Sequence, residues 1–317
     1  SHPAGRRAAG GAIAAADGAA GWIAAVSSTA GLAAAHLEER EGRELFGAGA
    51  VPAGVFAPIG RLAPGEGGSA LTGRWPLGSG VAFSTVVGLG CIGAEGRPLY
   101  AVVSREAVEV IDTWDSLGLR ATASHDVAVA EVTVVPGRIV DLIGGEPTAT
   151  GPLYAFPLFG LLAVAVSAVC TGVAAGALAD VVALATSRRP AGSSRSLADR
   201  ETTQERVAEA TAALRAAVAG VERAIASAWA AAEAGGPLRL EDRAALRIAA
   251  THAARTSVDV VDACHRLGGA RALYRGSTLE RRQRDVHTAA QHMVVAAPTM
   301  ELAGRVLLGV EADATQL

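Results

Sequence analysis

Apolar positions in the first part of the chain recur at helical spacing. They run from Trp22 to Leu32, and Asp17 stands before them as a residue type that caps helix N-termini. A shorter segment at residues 37–46, LEEREGRELF, has apolar ends around a charged centre, as in a short amphipathic helix. The pattern therefore predicts that residues 1–50 form an N-terminal helical domain.

The chain changes character after residue 50. Residues 51–136 are rich in glycine, proline and β-branched residues, and short apolar stretches alternate with turn signals. Near the end of this region, from Val127 to Val134, valines are separated by polar or small residues, as in a strand with one buried face. Many short strands with glycine turns predict a middle antiparallel β-barrel, which we assign to residues 51–140.

Helical periodicity returns after a linker rich in glycine and proline. It predicts four helices, at residues 152–187, 202–234, 240–267 and 280–308. Residues 156–179 carry no charge, and this length is enough to cross a membrane. No aromatic belt or basic cluster frames them, so we expect the buried central helix of a soluble bundle. Residues 151–317 are therefore assigned to a C-terminal four-helix bundle, and the chain to the α+β class.

Charge and composition exclude several functions. All 28 basic residues are arginine, and 31 acidic residues give a formal net charge of −3, so we expect no nucleic-acid partner. The lack of lysine excludes Schiff-base and Walker-A lysine chemistry. Cys91, Cys170 and Cys264 lie far apart without a CxxC pair. This usage is typical of a reduced, cytoplasmic protein with neither a disulfide framework nor a zinc site.

Four motifs occur in a specific order. The segment DTWDSLGLRATAS at residues 112–124 has the form WDxxGxRxTxS, and GRWPLGSG at residues 73–80 has the form GxWxxxSG. Towards the C-terminus, LGGARALY at residues 267–274 contains a glycine pair, and RDVHTAAQH at residues 284–292 contains an Arg-Asp pair. Together they resemble the acyl-CoA dehydrogenase superfamily, most closely its flavin-dependent monooxygenases, the hydroxylase components of two-component systems. The resemblance covers nearly the whole chain.

This resemblance implies a three-part fold of N-terminal helices, middle β-barrel and four-helix bundle, assembled as a homotetramer through the bundles. It also implies a longer N-terminal domain than precedes Gly73, so we expect a shortened version here. The implied cofactor is a flavin, FMN or FAD, received in reduced form from a separate flavin reductase. A nicotinamide site is not expected, because Gly88, Gly90 and Gly93 spell GxGxxG but lead into a strand and not a helix.

The motifs also indicate which residues surround the flavin ring. Trp114 can supply an aromatic wall, and Thr122, Ser124 and Ser79 can donate hydrogen bonds to the ring. The alternative is that Trp114 is a core residue of the barrel and that Thr122 and Ser124 lie on a solvated strand face. In the context of the family pattern we favour the cofactor site.

Further residues match the part of the family pattern that binds the cofactor phosphates. Arg195 corresponds roughly to the phosphate-binding arginine, and Gln204 to a glutamine near the start of the following helix. For Arg195, a solvated loop charge is an equally good interpretation. Gly268 and Gly269 would let the backbone approach a pyrophosphate, that of a neighbouring subunit's flavin, although the end of a helix explains them almost as well.

The reaction type depends on the last motif. In acyl-CoA dehydrogenases a glutamate after the Arg-Asp pair removes the substrate α-proton, and Met293 occupies the matching position here. The sequence has no acidic residue between Glu146 and Asp180, so the first helix of the bundle does not supply a replacement base. His292 corresponds to a histidine of the monooxygenases. The resemblance implies that His292 and Ser79 stabilise a flavin C4a-hydroperoxide and that His292 protonates it. The alternative is a surface helix histidine.

The sequence therefore predicts a flavin-dependent monooxygenase that uses O2 to oxidise a small aromatic or N- or S-containing substrate. One alternative is an acyl-CoA dehydrogenase whose base stands at an unmatched position, and another is a non-catalytic scaffold that has lost its flavin. We expect no membrane partner. No metal is expected either, because His287 and His292 lie too far round a helix to form a zinc pair.

Overall fold

The computed structural model describes residues 2–187, 189, 192–235 and 238–317. The chain forms two compact units. The helical unit comprises residues 1–25, 117–119 and 155–317, and the sheet unit comprises residues 26–116 and 120–154. The three residues 117–119 therefore belong to the helical unit, although both of their neighbouring segments in sequence belong to the sheet unit.

Three α-helices occupy the N-terminal segment: α1 (Pro3–Ala16), α2 (Gly18–Ala30) and α3 (Glu39–Leu45). The predicted cap is confirmed, because Oδ1 of Asp17 accepts a hydrogen bond from the Ala20 N–H at 3.0 Å. Helix α3 confirms the short charged helix predicted near the end of this segment. The apolar period does not predict α1, whose start is instead defined by a proline in its first turn and by capping from the His2 ring.

Seven strands form one sheet in the order β5-β6-β2-β1-β3-β4-β7. They are β1 (Pro52–Gly65), β2 (Gly68–Gly78), β3 (Val86–Ile92), β4 (Pro98–Ser104), β5 (Glu109–Ile111), β6 (His125–Val134) and β7 (Ile139–Val140). All neighbouring pairs are antiparallel except β1 and β3, which are parallel, and this one pairing departs from the predicted antiparallel β-barrel. After the β1–β2 hairpin the chain crosses to the free side of β1 and there runs in the same direction as β1.

The core of the sheet unit is built around Trp75 on β2. Its side chain is fully buried among valine, leucine and alanine side chains, and its indole N–H donates to the carbonyl of Gly90 at 2.7 Å. Glycine is required at position 60 opposite the ring, because a Cβ there would lie 2.1 Å from Cζ2 of Trp75. The tryptophan of the GxWxxxSG motif is therefore a structural residue.

Five further α-helices complete the helical unit: α4 (Leu158–Ser187), α5 (Glu201–Glu233), α6 (Leu240–Gly268), α7 (Thr278–Ala289) and α8 (Ala297–Leu307). The first three lie within a few residues of their predicted positions. The fourth predicted helix, 280–308, is interrupted: His292 is extended, Met293–Val295 form a 3-10 turn, and a proline occupies the first turn of α8. N-terminal helices, a central sheet and a C-terminal helical bundle confirm the predicted α+β class.

Helix α4 is the apolar helix at the centre of the helical unit. It and the segment Gly18–Ala35 are long and apolar enough to cross a membrane, but 78% of the most apolar window of α4 is buried within the protein. Arg282 of α7 forms an ion pair with Asp180 of α4 at 2.7 Å. Gly176 makes room for this guanidinium, since a Cβ there would lie 2.2 Å from Nη1 of Arg282. The predicted burial of this helix is confirmed.

Candidate active site

Three hydroxyl groups form a hydrogen-bonded chain in the sheet unit. Oγ of Ser124 lies 2.8 Å from Oγ of Ser79 and 2.7 Å from Oγ1 of Thr122. Thr122 and Ser124 are buried, with 0% and 4% of their surface exposed, whereas Ser79 is half-buried. The alternative of a solvated strand face is therefore wrong for these two residues. Ser79 is thus the partly exposed end of this chain, and its hydroxyl is hydrogen-bonded to the buried hydroxyl of Ser124.

Strained turns hold this hydroxyl chain in place. Leu77 and Ala123 have φ angles of +63° and +44°, and each accepts a hydrogen bond on its carbonyl from the residue two positions later. Left-handed backbone at a non-glycine residue costs free energy and persists where the surrounding structure enforces it. The Gly80 N–H donates to the Thr122 carbonyl at 3.0 Å and joins the two motif segments directly. The sequence therefore places Ser79 and Ser124 together through two enforced turns.

Trp114 lies in the same neighbourhood, between β5 and β6. Its backbone N–H donates to Nδ1 of His125 at 3.1 Å, and His125 follows Ser124 in the chain. The Trp114 side chain is half-buried, in contrast to the fully buried Trp75. Trp114 is therefore not the core tryptophan of the sheet, and its ring has surface left with which to contact a ligand.

The hydroxyl chain can be tested by removing its central member. We expect Ser124→Ala to lower the free energy of unfolding by about 1 to 2 kcal/mol, because the buried hydroxyl of Thr122 loses this partner. Urea denaturation followed by circular dichroism measures the change. Ser104→Ala, at the half-buried end of β4, is the control and should change stability by less than about 0.5 kcal/mol. Equal effects of the two substitutions would contradict the proposed chain.

In the helical unit, the Arg-Asp pair of α7 holds residues 117–119. Oδ1 of Asp285 accepts from the Leu119 N–H at 2.6 Å, and Nη1 of Arg284 donates to the Leu117 carbonyl at 2.8 Å. Burial raises the pKa of Asp285 above its usual range. Gly118 lies against the helix backbone between these two contacts. The pair therefore has a structural task, which is to fix the centre of the WDxxGxRxTxS motif.

His292 stands at the interruption between α7 and α8. Its Nδ1 accepts from the Val294 N–H at 3.3 Å, so the neutral imidazole carries its proton on Nε2. Nε2 has no hydrogen-bond partner among the described residues. The Trp22 ring of α2 lies against the imidazole, with 5.6 Å between ring centroids. Burial, and then the charge of Arg247, lower the pKa of His292 to about 4, so the ring is neutral at pH 7.

Arg247 of α6 is a functional candidate that the motifs do not reveal. Only 3% of its surface is exposed, and burial lowers its pKa to about 10. It donates to the Phe159 carbonyl at 2.7 Å and to Oγ1 of Thr299 at 3.1 Å, and its Nε has no partner. One sequence signal exists: Arg247 lies three residues from both Ala244 and Ala250, on the apolar face of α6.

Arg195 lies in the loop before α5, and Gln204 lies in the first turn of that helix. Both are exposed, and each donates to a neighbouring carbonyl of the same loop, Arg195 to Asp199 and Gln204 to Ala198 at 2.9 Å. The Ser193 hydroxyl accepts from the Arg195 N–H at 3.2 Å. This geometry suits a solvated loop arginine and a phosphate ligand equally, so the role of the pair stays a prediction.

The glycine pair ends α6. Gly268 packs tightly against α7, since a Cβ there would lie 2.7 Å from Cδ1 of Leu279. Gly269 has φ +57° and ψ −144°, which only glycine adopts readily, and no atom lies within 4 Å of its Cβ position. Close packing explains Gly268, and helix termination explains Gly269. The open side of Gly269 is the part of the pair that a ligand can approach, and its predicted role in cofactor binding stays a prediction.

Comparisons with known proteins agree with these motifs. Residues 164–297 match the family model described as "Acyl-CoA dehydrogenase, C-terminal domain". Indole-3-acetate monooxygenase of Pseudomonas putida is 34% identical over 305 residues, covering 93% of this chain and 77% of that protein. The oxygenase subunit HsaA of a flavin-dependent monooxygenase from Rhodococcus jostii is 27% identical, with 88% and 77% covered.

A solved structure extends the similarity to the fold. XiaF from Streptomyces sp., in complex with FADH2 and glycerol, superimposes with a TM-score of 0.85 at 26% sequence identity. The alignment covers 94% of this chain and 79% of that one. The similarity therefore includes both the N-terminal helices and the sheet, which lie outside the residues matched by the family model.

Proposed function

Because this chain belongs to the acyl-CoA dehydrogenase superfamily, in its branch of flavin-dependent monooxygenases, we propose that it is the oxygenase component of a two-component hydroxylase. A separate reductase supplies the reduced flavin. The reduced flavin provides two electrons to O2, so that one oxygen atom enters the substrate and the other leaves as water. The proposed substrate is a small aromatic compound, of the kind that the most similar relatives are named for.

The observation that carries this proposal is the state of His292. At the neighbouring position, where a dehydrogenase carries its glutamate base, this chain has the exposed Met293. His292 is neutral at pH 7 and offers Nε2–H, so it can donate a hydrogen bond to oxygen, while its Nδ1 lone pair already accepts from the Val294 N–H and does not serve α-proton removal. This arrangement favours oxygen transfer over dehydrogenation.

The residues of the sheet unit fit a flavin ring by their chemistry. An isoalloxazine ring needs hydrogen-bond donors at its polar edge and a flat apolar contact on its face. Ser79 is the partly exposed end of the hydroxyl chain with Ser124 and Thr122, and Trp114 offers a half-buried aromatic side chain. We therefore assign the binding of the ring to Ser79, Ser124, Thr122 and Trp114.

The phosphate end of the cofactor is assigned to the helical unit. Arg195 provides a permanent positive charge and Gln204 an exposed amide. Gly269, with Gly268 beside it, offers an open backbone to the pyrophosphate of a neighbouring subunit's flavin. The proposed cofactor is FAD or FMN, because the similar structure XiaF holds FADH2 and another similar structure, KijD3, holds FMN. We further propose a cytoplasmic homotetramer, as expected for this branch of the superfamily.

Stopped-flow absorbance tests the proposal. Protein mixed anaerobically with photoreduced FAD, and separately with FMN, is combined with aerated buffer containing indole-3-acetate. We expect reduced flavin to be oxidised more slowly than free flavin, and mass spectrometry to find one oxygen atom from 18O2 in the product. Oxidation at the free-flavin rate without product would overturn the proposal. Bleaching of oxidised flavin by an acyl-CoA without oxygen would instead establish a dehydrogenase. A protein with no affinity for flavin would be a scaffold.

A further inference from the structure

We infer that Arg247 is the positioning residue of His292: through Thr299 it holds the turn of residues 292–299, so that the imidazole presents Nε2 as its donor. Nothing in the family motifs points to this residue. The catalytic consequence rests on the proposed function, whereas the structural part concerns the helical unit alone and is measured without turnover.

The link runs through consecutive hydrogen bonds. Nη2 of Arg247 donates to Oγ1 of Thr299 at 3.1 Å, and the Thr299 hydroxyl donates to the Met293 carbonyl at 3.3 Å. Nη1 of the same guanidinium donates to the Phe159 carbonyl in the first turn of α4 at 2.7 Å. The Arg247 side chain of α6 therefore links the first turn of α4 to the turn that contains His292. These hydrogen bonds stabilise the interruption between α7 and α8.

Burial of this guanidinium is costly. An arginine that is almost fully buried normally pairs with a carboxylate, and replacing a buried charge with an apolar residue often stabilises a protein. In the described part of the chain Arg247 contacts only a carbonyl and a hydroxyl, and its Nε is buried without a partner. The presence of arginine at position 247 is therefore explained better by its hydrogen bonds to the turn of residues 292–299 than by a gain in the free energy of unfolding.

The charge of Arg247 acts in the same direction as the hydrogen bonds. It opposes a second positive charge on His292, which keeps the ring in the form that has Nδ1 as acceptor and Nε2 as donor. The other elements at the turn provide no buried countercharge: Trp22 of α2 is uncharged, α4 has no charged residue before Asp180, and Glu301 and Arg305 of α8 are exposed.

Histidine titration by NMR tests the inference. The chain has seven histidines, so protein labelled with 13C at Cε1 gives few signals, and the signal missing in His292→Asn identifies His292. In the unaltered protein we expect no titration of this signal above pH 5. In Arg247→Met we expect its pKa to rise by about 0.5 to 1 unit, the effect of removing one like charge, while burial keeps it below 6.5.

Two further variants separate charge from hydrogen bonding. Thr299→Val keeps the charge and breaks the link, so the pKa of His292 should stay low while its signal shifts and broadens. Arg247→Lys keeps the charge and replaces Arg247→Met if that variant does not fold. It should keep the low pKa of His292 with a disturbed turn. The inference is wrong if Arg247→Met leaves both the titration and the NMR signal of His292 unchanged. If Arg247→Met does not fold, the same result in both Arg247→Lys and Thr299→Val contradicts it.

Activity provides the second measurement. With the neutral ring as donor, product formation in the unaltered protein should not change as pH falls from 8 to 6. Arg247→Met should lose about tenfold in kcat, with a further decline towards pH 5 as protonation of Nδ1 removes the acceptor of the Val294 N–H and displaces the ring. If the unaltered protein and all variants lack flavin turnover but show the expected NMR shifts, the proposed function is rejected and the inference about Arg247 is retained.

Discussion

Replacing Gly118 with alanine is expected to lower the free energy of unfolding by about 3 kcal/mol, one of the largest effects available from adding a single methyl group to this chain. A Cβ at this position would lie 2.1 Å from the carbonyl oxygen of Arg284 and 2.3 Å from its carbonyl carbon. Both atoms belong to the backbone of α7, which cannot move aside as the end of a flexible side chain can. Residues 117–119 must therefore move away from the helix.

That movement breaks the contacts that the Arg-Asp pair makes. The Leu119 N–H would move away from Oδ1 of Asp285. Because this carboxyl is buried, water would not replace the lost hydrogen bond. Leu119 itself has φ +52°, a strained conformation for leucine that this contact helps to enforce. The alanine variant therefore loses packing, a buried hydrogen bond and an enforced turn together.

Urea denaturation compares Gly118→Ala with Gly276→Ala. Gly276 is exposed, and no atom lies within 4 Å of its Cβ position, so alanine there should change stability by less than about 1 kcal/mol. The same comparison in the flavin-binding assay should show weaker binding only for Gly118→Ala, because the affected residues lie inside the WDxxGxRxTxS motif. Two variants of equal stability would show that the contact between residues 117–119 and α7 is not formed as described.

Local patterns predict most elements of this fold, and the errors occur where distant residues decide. The alternation of β6 and the apolar period of α4 are properties of single segments, so both are visible in the sequence. The parallel pairing of β1 with β3 depends on which side of β1 remains free after the first hairpin, and no local pattern records that choice. Helix α1 lies within the predicted helical segment, but its bounds are not visible because its many alanine and glycine residues mark a buried face only weakly.

The candidate site divides in the same way. Ser79, Thr122, Ser124 and His292 belong to ordered motifs, and the structure gives the hydroxyls a common hydrogen-bond chain and the histidine a defined tautomer. Arg247 belongs to no motif. Its importance comes from being buried beside a turn that interrupts a predicted continuous helix, and only the packing of α4, α6 and α8 shows this. The sequence motifs thus point to the residues to which we assign the chemistry, but not to the residue that we propose holds one of them in place.

His292→Asn is expected to reduce the rate of product formation by about a hundredfold, the usual effect of removing a positioned proton or hydrogen-bond donor. Asparagine is a good cap, so its side chain can still accept from the Val294 N–H and preserve the turn. What it cannot do is place a donor where Nε2 stands. The loss should therefore appear in kcat, with little change in KM or stability, because the missing interaction is made in the transition state.

The decisive readout is the fraction of consumed O2 that becomes product. Without the Nε2 donor, reduced flavin should still react with O2, but hydrogen peroxide should replace most of the hydroxylated product. His287→Asn is the matched control: that half-buried ring pairs with Asp262 of α6 at 2.9 Å, and its loss should change product formation less than twofold. If His292→Asn keeps its product yield per O2, the oxygen atom is transferred without help from His292, and the donor must be sought among the hydroxyls around Ser79.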